Sequence, residues 1–279
     1  MPISLYLDTN VFDHLIKGPA YIAPDIAAAL FSAIDTGLVE VPTSIYNVEE
    51  LLGEAQKDPR AAVERLSLLK RVTRFNNFLK PVDQLSKESF EAYAQVKPDP
   101  IPCIEDQHLR QKLTELLEPD GLNLEELEPV LADTRQQVVD YREGMQHNLE
   151  EIRRQYPEPP IPTFESWYQM GAPQLAEIFA EAKGVKEACL KRGLDGLVKV
   201  PYVGAIVGFY LSVIYEYGFH KGLKVSQGDS RDVLHATSAA NSYAIVSFDD
   251  KFLRRLTRMP VRPKVVSKDE LKKFLDDLK

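Results

Sequence analysis

Cysteine is close to absent. Cys103 and Cys189 are the only two in 279 residues, and they lie far apart with no metal-type spacing. That scarcity excludes a disulfide framework and a thiolate zinc site, and it matches a reducing compartment. The five histidines are scattered, so an imidazole-built zinc site is not expected either. No basic stretch leads into an apolar segment at the start, so no signal peptide is expected. The longest apolar run, Val203 to Ile214, is broken by Gly204, Gly208 and Ser212 and falls short of a bilayer span. It reads as a buried helix of a cytoplasmic protein, with no membrane partner.

What is present is ordinary for a globular chain. Apolar residues make up 44% and charged residues 27%, enough for one large core or two modest ones. The net charge of −8 at first argues against a nucleic-acid partner. Its distribution changes that conclusion. Residues 86–160 hold 17 acids and 8 bases, whereas the rest of the chain holds 25 acids and 26 bases. Outside one acidic segment the protein is neutral, so local basic patches for RNA are not excluded.

Periodicity divides the chain into three parts. In residues 1–85, apolar alternation predicts strands at Ile3–Leu7, Leu38–Val41 and Phe78–Val82. Helices are expected between them at Val11–Lys17, from Pro24 to about Gly37, after a Thr43 or Ser44 cap, and at about Pro59–Arg74. Alternating strand and helix is the signature of a parallel sheet covered by helices. From residue 86 to 221 no convincing strand appears. Polar helical stretches, foremost Leu124–Arg154 and Pro173–Lys191, are broken by prolines that include the Pro157–Pro162 cluster, which suggests a helical insertion or cap. Alternation resumes over 222–279. A helix capped by Asp229 or Ser230 precedes a strand at Tyr243–Ser247, a basic helical turn at Lys251–Arg258, an edge strand at Arg262–Val266 and a terminal helix capped by Ser267. The expected fold class is therefore α/β, a parallel sheet covered by helices, with an α-helical insertion.

Strand ends carry acids. Asp8 closes the first strand, and Asp249 follows the strand that ends near Ser247. Ligands of open parallel sheets sit just beyond the carboxyl ends of the strands. Asp232 and Glu49 or Glu50 fall early in helices packed beside those strands. Each acid also has a plainer explanation. Asp8 and Asp249 or Asp250 are good helix caps, Asp232 could complete a capping box begun by Asp229, and acids are favoured near helix N-termini. Together in one crevice, however, they repel by roughly 4 kcal/mol per pair at ~4 Å and an effective dielectric near 20. Shared protons or a divalent cation would relieve that repulsion, and an all-oxygen site suits Mg²⁺ or Mn²⁺.

The stretches LYLDTNVF, SIYNVEELLG, DSRDVLHATSAA and AIVSFDDKF, in that order, resemble the four blocks of PIN-domain ribonucleases. The resemblance covers about residues 1–82 and 222–266. It implies a PIN-like three-layer fold with a five-stranded parallel sheet, and a metal-dependent endoribonuclease that hydrolyses RNA phosphodiester bonds. Its catalytic and metal-binding acids would be Asp8, Glu50, Asp232 and Asp249, with Mg²⁺ or Mn²⁺ as cofactor. The family pattern selects Glu50, next to Leu51, whereas helical phase puts Glu49 nearer the buried face. Thr9, Asn10 and Ser247 match small polar positions that orient the acids; Asp229 and Asp250 read as spare, solvated acids. RNA is the implied substrate. A homodimer and an antitoxin-like protein partner belong to compact toxin members, from which the long insertion departs.

Four further features have competing explanations. His235 is a general base or a structural histidine. Trp167 and Tyr168 stack a base or fill the core of the insertion. Lys251, Arg254, Arg255 and Arg258 grip phosphates or form a solvated basic helix. The whole site is catalytic, or the acids are caps in a non-catalytic binding module whose acidic insertion docks a protein partner. A dehalogenase-type phosphatase fits less well, because Asn10 stands where a second aspartate is needed.

Overall fold

The computed structural model describes residues 2–53, 58–155, 163–218 and 224–279. The chain begins β1 (Ile3–Leu7), α1 (Thr9–Lys17), α2 (Pro24–Asp35), β2 (Val39–Glu40), α3 (Ile45–Gly53), α4 (Pro59–Thr73) and α5 (Val82–Ala94). It continues with α6 (Gln107–Leu116), α7 (Leu124–Gln155), α8 (Phe164–Ala182), α9 (Lys186–Arg192), α10 (Leu194–Leu197) and α11 (Pro201–Gly218). The last part is α12 (Gln227–Ser238), β3 (Ala244–Val246), α13 (Asp250–Arg258), β4 (Lys264–Val266) and α14 (Lys268–Asp276). The architecture is mixed α/β, with an all-parallel sheet in the order β2-β1-β3-β4.

The sheet has four strands among the described residues rather than five. The expected strand Phe78–Val82 is reduced to two isolated rungs, Phe78 beside Thr43 and Leu79 beside Cys103. Pro42 and Pro81 bracket this edge and offer no backbone N–H for a longer ladder. Val82 already belongs to α5, and Lys80 donates its N–H to the Pro102 carbonyl instead of to a strand.

Period-two alternation sends β1 side chains to opposite faces. Leu5 and Leu7, with Ala244 and Val246, face a core built by α1, α2, α3, α4 and α14. Tyr6 and Ile245 face a second core, which α11 and α12 dominate. Helices therefore cover both faces of the sheet, as parallel strands require. The second layer comes largely from residues 86–221. Every residue of α11 from Tyr202 to Ile214 is buried, as expected of a helix apolar all round. Gly204 permits its close approach, since a Cβ there would lie 2.6 Å from the Val198 carbonyl oxygen. Helix α7 serves both layers: Leu127 and Leu131 join the first core, and Val138, Met145 and Leu149 the second.

Two helix starts differ from the sequence reading. Helix α8 begins at Phe164, capped by Thr163, and runs straight through Pro173. Burial of Ala172, Leu175 and Ala176 on its inner face outweighs the hydrogen bond that proline removes. Helix α12 is capped by Ser226, three residues before Asp229, in a reciprocal capping box with Asp229 itself. Asp232 is therefore not the capping-box acid. The Pro157–Pro162 cluster and the 221/222 boundary of the insertion lie outside the described residues. Among the described residues, no helix is long and apolar enough to cross a membrane.

Candidate active site

The sheet's central strands, β1 and β3, end side by side. Asp8 donates its N–H to the Val246 carbonyl at 3.0 Å, which carries the ladder one residue beyond β1 and fixes Asp8 at the carboxyl edge. A polar cavity of about 470 Å³ opens there. Asp8, Glu50, Asp232 and Asp249 all line it, together with Glu49 and Asp13. The crevice position inferred for four separate acids is where they lie.

Asp8 is the most constrained of them. One carboxylate oxygen accepts the Thr9 N–H at 2.8 Å, so Asp8 does cap α1. The other accepts from Asn10 Nδ2 at 2.6 Å and Ser247 Oγ at 2.8 Å. Asn10 Nδ2 also donates to Ser247 Oγ, and Asn10 Oδ1 accepts the Phe248 N–H, which clamps the two strand ends together. Thr9 acts differently: its hydroxyl accepts from Asn47 Nδ2 and lies 3.5 Å from His235 Nε2. Asp249 is exposed and caps α13, accepting the Lys251 and Phe252 N–H groups at 2.7 and 3.0 Å. Its capping role and its place on the cavity wall coexist. Asp250 is exposed at the start of α13.

Both helix-borne glutamates line the cavity, with different partners. Glu49 is buried and takes Arg231 Nη2 on both oxygens at 3.2 Å. Glu50 faces Asp8 across His235: its carboxylate is 3.1 Å from His235 Nε2, which is 4.0 Å from Asp8. Arg231 Nε lies 3.3 Å from the other Glu50 oxygen. Glu50 is thus the glutamate coupled to Asp8.

The ionisation equilibria follow from burial and from which partners each acid has. Burial raises the Asp8 carboxyl above its ordinary value, and Glu50 adds to that, against the lowering effect of His235 and Ser247. Asp232 is pushed well up by burial and by the charges of Asp8 and Asp249, which the Arg255 guanidinium at 3.3 Å only partly offsets. Burial raises Glu49 also, against the opposing charge of Arg231. Glu50 ends below its ordinary value: burial would raise it, but the charge and hydrogen bond of His235 outweigh that. His235 is the counterpart. Burial alone would lower it, yet Glu50, Asp8 and Asp232 push it up to about 9. It is held by Tyr6 Oη, 2.6 Å from Nδ1, and fully engaged, which favours the structural reading over a free general base.

Two expectations about charged side chains are corrected. Asp229 is not solvated: it is fully buried, ligated by Arg255 at 2.7 Å, Lys251 at 2.8 Å and Ser226. Arg255 is neither a phosphate grip nor a solvated base, because it too is fully buried, between Asp229 and Glu216. Arg254 is exposed and paired with Glu216 at 3.0 Å. Trp167 and Tyr168 pack against the second core.

The sequence reading passed over Arg231, Asp13 and Arg135, all of which line the cavity. Arg231 precedes Asp232 inside a quoted block and could have been singled out there. Asp13 stands four residues after Thr9, on the same face of α1, a weak signal. Arg135 lies on α7 inside the insertion, where nothing in the local sequence separates it from other helical arginines.

Among the described residues, no group of three or more His, Cys, Asp or Glu side chains is arranged as a metal cluster. Glu49, Glu50 and Asp232 are turned instead to side-chain cations, and Asp8 and Asp249 to helix N-termini. Compared with protein-family models, curated proteins and solved structures, the chain matches none.

Proposed function

We propose that the protein is a Mg²⁺- or Mn²⁺-dependent nuclease of the PIN type, an endoribonuclease hydrolysing RNA phosphodiester bonds. The observation that carries this reading is convergence. Asp8, Glu50, Asp232 and Asp249, from both ends of the chain, line one polar cavity at the carboxyl edge of a parallel sheet. The donor chemistry fits a hard divalent cation, since the acids offer only oxygen. Burial leaves the carboxyls of Asp8 and Asp232 short of positive charge, which a divalent cation would supply. Glu50 is engaged by His235 and Arg231, and Asp232 by Arg255, so binding requires both carboxylates to turn from those partners.

A divalent ion at such a site neutralises charge on phosphate and lowers the pKa of bound water. The chain's own part is orientation. Asn10 and Ser247 hold one Asp8 oxygen, Thr9 N–H holds the other, and Asn47 anchors Thr9. His235 and Arg231 keep the acids compensated before a cation arrives.

The test is cleavage of single-stranded RNA in Mn²⁺. The expected result is EDTA-reversible hydrolysis that Asp8→Asn reduces by on the order of 100-fold or more. Asn keeps an acceptor for Asn10 and Ser247 but loses the cap to Thr9 and the charge that faces His235, so folding of the variant is checked by circular dichroism. Full activity in the purified variant removes Asp8 from the mechanism.

One observation favours a second reading, a non-catalytic binding module. Asp8 and Asp249 already cap helices and Asp232 already pairs with Arg255, so each acid has a structural occupation. Calorimetric Mn²⁺ titration separates the two: saturable binding lost in Asp8→Asn supports the nuclease, and no binding supports the module.

A further inference from the structure

Resting on the nuclease reading, we propose that Arg135, on the long helix α7, is a substrate-binding residue that grips a phosphate at the mouth of the acidic cavity. A polyanion approaching six carboxylates meets repulsion, so a site of this kind needs a cation with N–H donors still open to the ligand. Among the described residues, three basic side chains line the cavity: Arg135, Arg231 and His235. His235 is 2% exposed, with both ring nitrogens engaged by Tyr6 and Glu50. Arg231 spans Glu49 and Glu50.

Arg135 differs from both. Its side chain is 34% exposed, and both its hydrogen-bond partners lie on its own helix, the Leu131 carbonyl at 3.2 Å and Glu128 at 2.5 Å. Glu128 is itself half exposed, and Arg135 Nη1 has no hydrogen bond among the described residues. A planar guanidinium with an open edge suits a phosphate, which it can hold through two parallel N–H···O bonds.

The placement of Arg135 is also fixed by the fold. It lies between Leu131, in the first core, and Val138, in the second, where α7 passes from one layer to the other. Two residues along, Gln137 accepts a 2.7 Å hydrogen bond from Tyr46, on the helix that carries Glu49 and Glu50. The same Tyr46 hydroxyl accepts the Val82 N–H at 2.9 Å. Helix α7 is thereby pinned to α3, and Arg135 to the rim of the cavity. The insertion contributes to the site itself.

The experiment measures binding of a short fluorescein-labelled single-stranded oligoribonucleotide by anisotropy across a salt series, in EDTA so that no cleavage occurs. In parallel, kcat and KM for its cleavage are measured with Mn²⁺. Arg135→Ala is expected to weaken binding about tenfold and to flatten the salt slope by about 0.7, the share of one phosphate contact on a single strand. It raises KM with little change in kcat. Arg135→Lys restores the slope and only part of the affinity, because the charge returns without the fork. Arg142→Ala, elsewhere on α7, serves as the control for net charge and leaves both unchanged.

Unchanged affinity and slope in Arg135→Ala, beside a wild type that cleaves, overturns the inference and leaves the nuclease intact. A weakened, flatter Arg135→Ala beside a wild type that binds but never cleaves keeps the phosphate contact and overturns the hydrolase. A wild type that neither binds nor cleaves overturns both.

Discussion

Two charge clusters sit one turn apart on α12 and settle their charges in opposite ways. Around Asp229, donors saturate the carboxylate. Arg255, Lys251, Tyr217 and Ser226 all donate to its carboxylate, and Glu216 takes the other side of Arg255. Three residues on, Asp232 lines an open cavity with Asp8 and Asp249, and its ion-pair partner among the described residues is Arg255, shared with Asp229 and Glu216, with the charge of His235 a lesser help. Burial would raise both aspartates. Asp229 is nevertheless held well below the carboxylate range by the hydrogen bonds of Lys251 and Ser226 and by the charge of Arg255, whereas Asp232 stays well above it. The difference lies in partners, since residue type and helix are the same. A closed cluster is a structural fastener; in an open one, where acids outnumber cations, burial and repulsion hold the carboxyl values up.

The largest effect should come from opening the closed cluster. Arg255→Ala leaves Asp229 buried and unpaired on that side, and should cost about 3–5 kcal/mol in urea unfolding. A loss under about 1 kcal/mol would make the two clusters equivalent.

Acid should strike the closed cluster next. Because the folded-state values of Asp229 and Glu216 are depressed, their stabilisation is present above the ordinary carboxylate range, near pH 4, and is lost as pH falls through the depressed values. Asp229→Asn should lower stability at neutral pH and shrink the loss between pH 5 and pH 2, read by thermal melts along a pH series. Parallel acid limbs in the two proteins would deny Asp229 this role.

A smaller effect of opposite sign is expected in the open cluster. Asp232→Asn removes a charge that Asp8 and Asp249 repel, while Arg255 keeps Asp229 and Glu216. In metal-free buffer the variant should be as stable as wild type or more so, by up to about 1 kcal/mol. At a hundredfold excess over Kd, Mn²⁺ should stabilise the wild type by about 2.7 kcal/mol and this variant by much less. A destabilised Asp232→Asn would place Asp232 with the fasteners. Of similar size is Tyr6→Phe, which removes one buried hydrogen bond to His235 and should cost about 1 kcal/mol in urea unfolding.

The legible parts of the sequence were those with local causes. Ile3–Leu7 alternates and is β1, Ser267 and Glu270 form the capping box of α14, and Val203–Ile214, apolar all round, is buried within α11. The strand expected at Phe78–Val82 and the start of α8 depart from the local pattern because a tertiary constraint overrides it there. Phe78–Leu79 has the apolar character of a strand but neighbours only a proline-bounded edge. Pro173 resembles a helix start until α11 supplies a surface for the residues on either side of it.

By itself, the sequence determined the order of strands and helices and put acids at the ends of the strands, because both depend on side-chain period and on neighbours a few positions away. Only the tertiary structure decided that Arg255 is buried, that Asp229 is a fastener, that His235 carries a counter-charge and that Arg135 joins the cavity from within the insertion. The physical reason is that a charge's role depends on the dielectric around it and on the sign of the groups within a few ångströms. Those neighbours come from parts of the chain too distant for local patterning to connect.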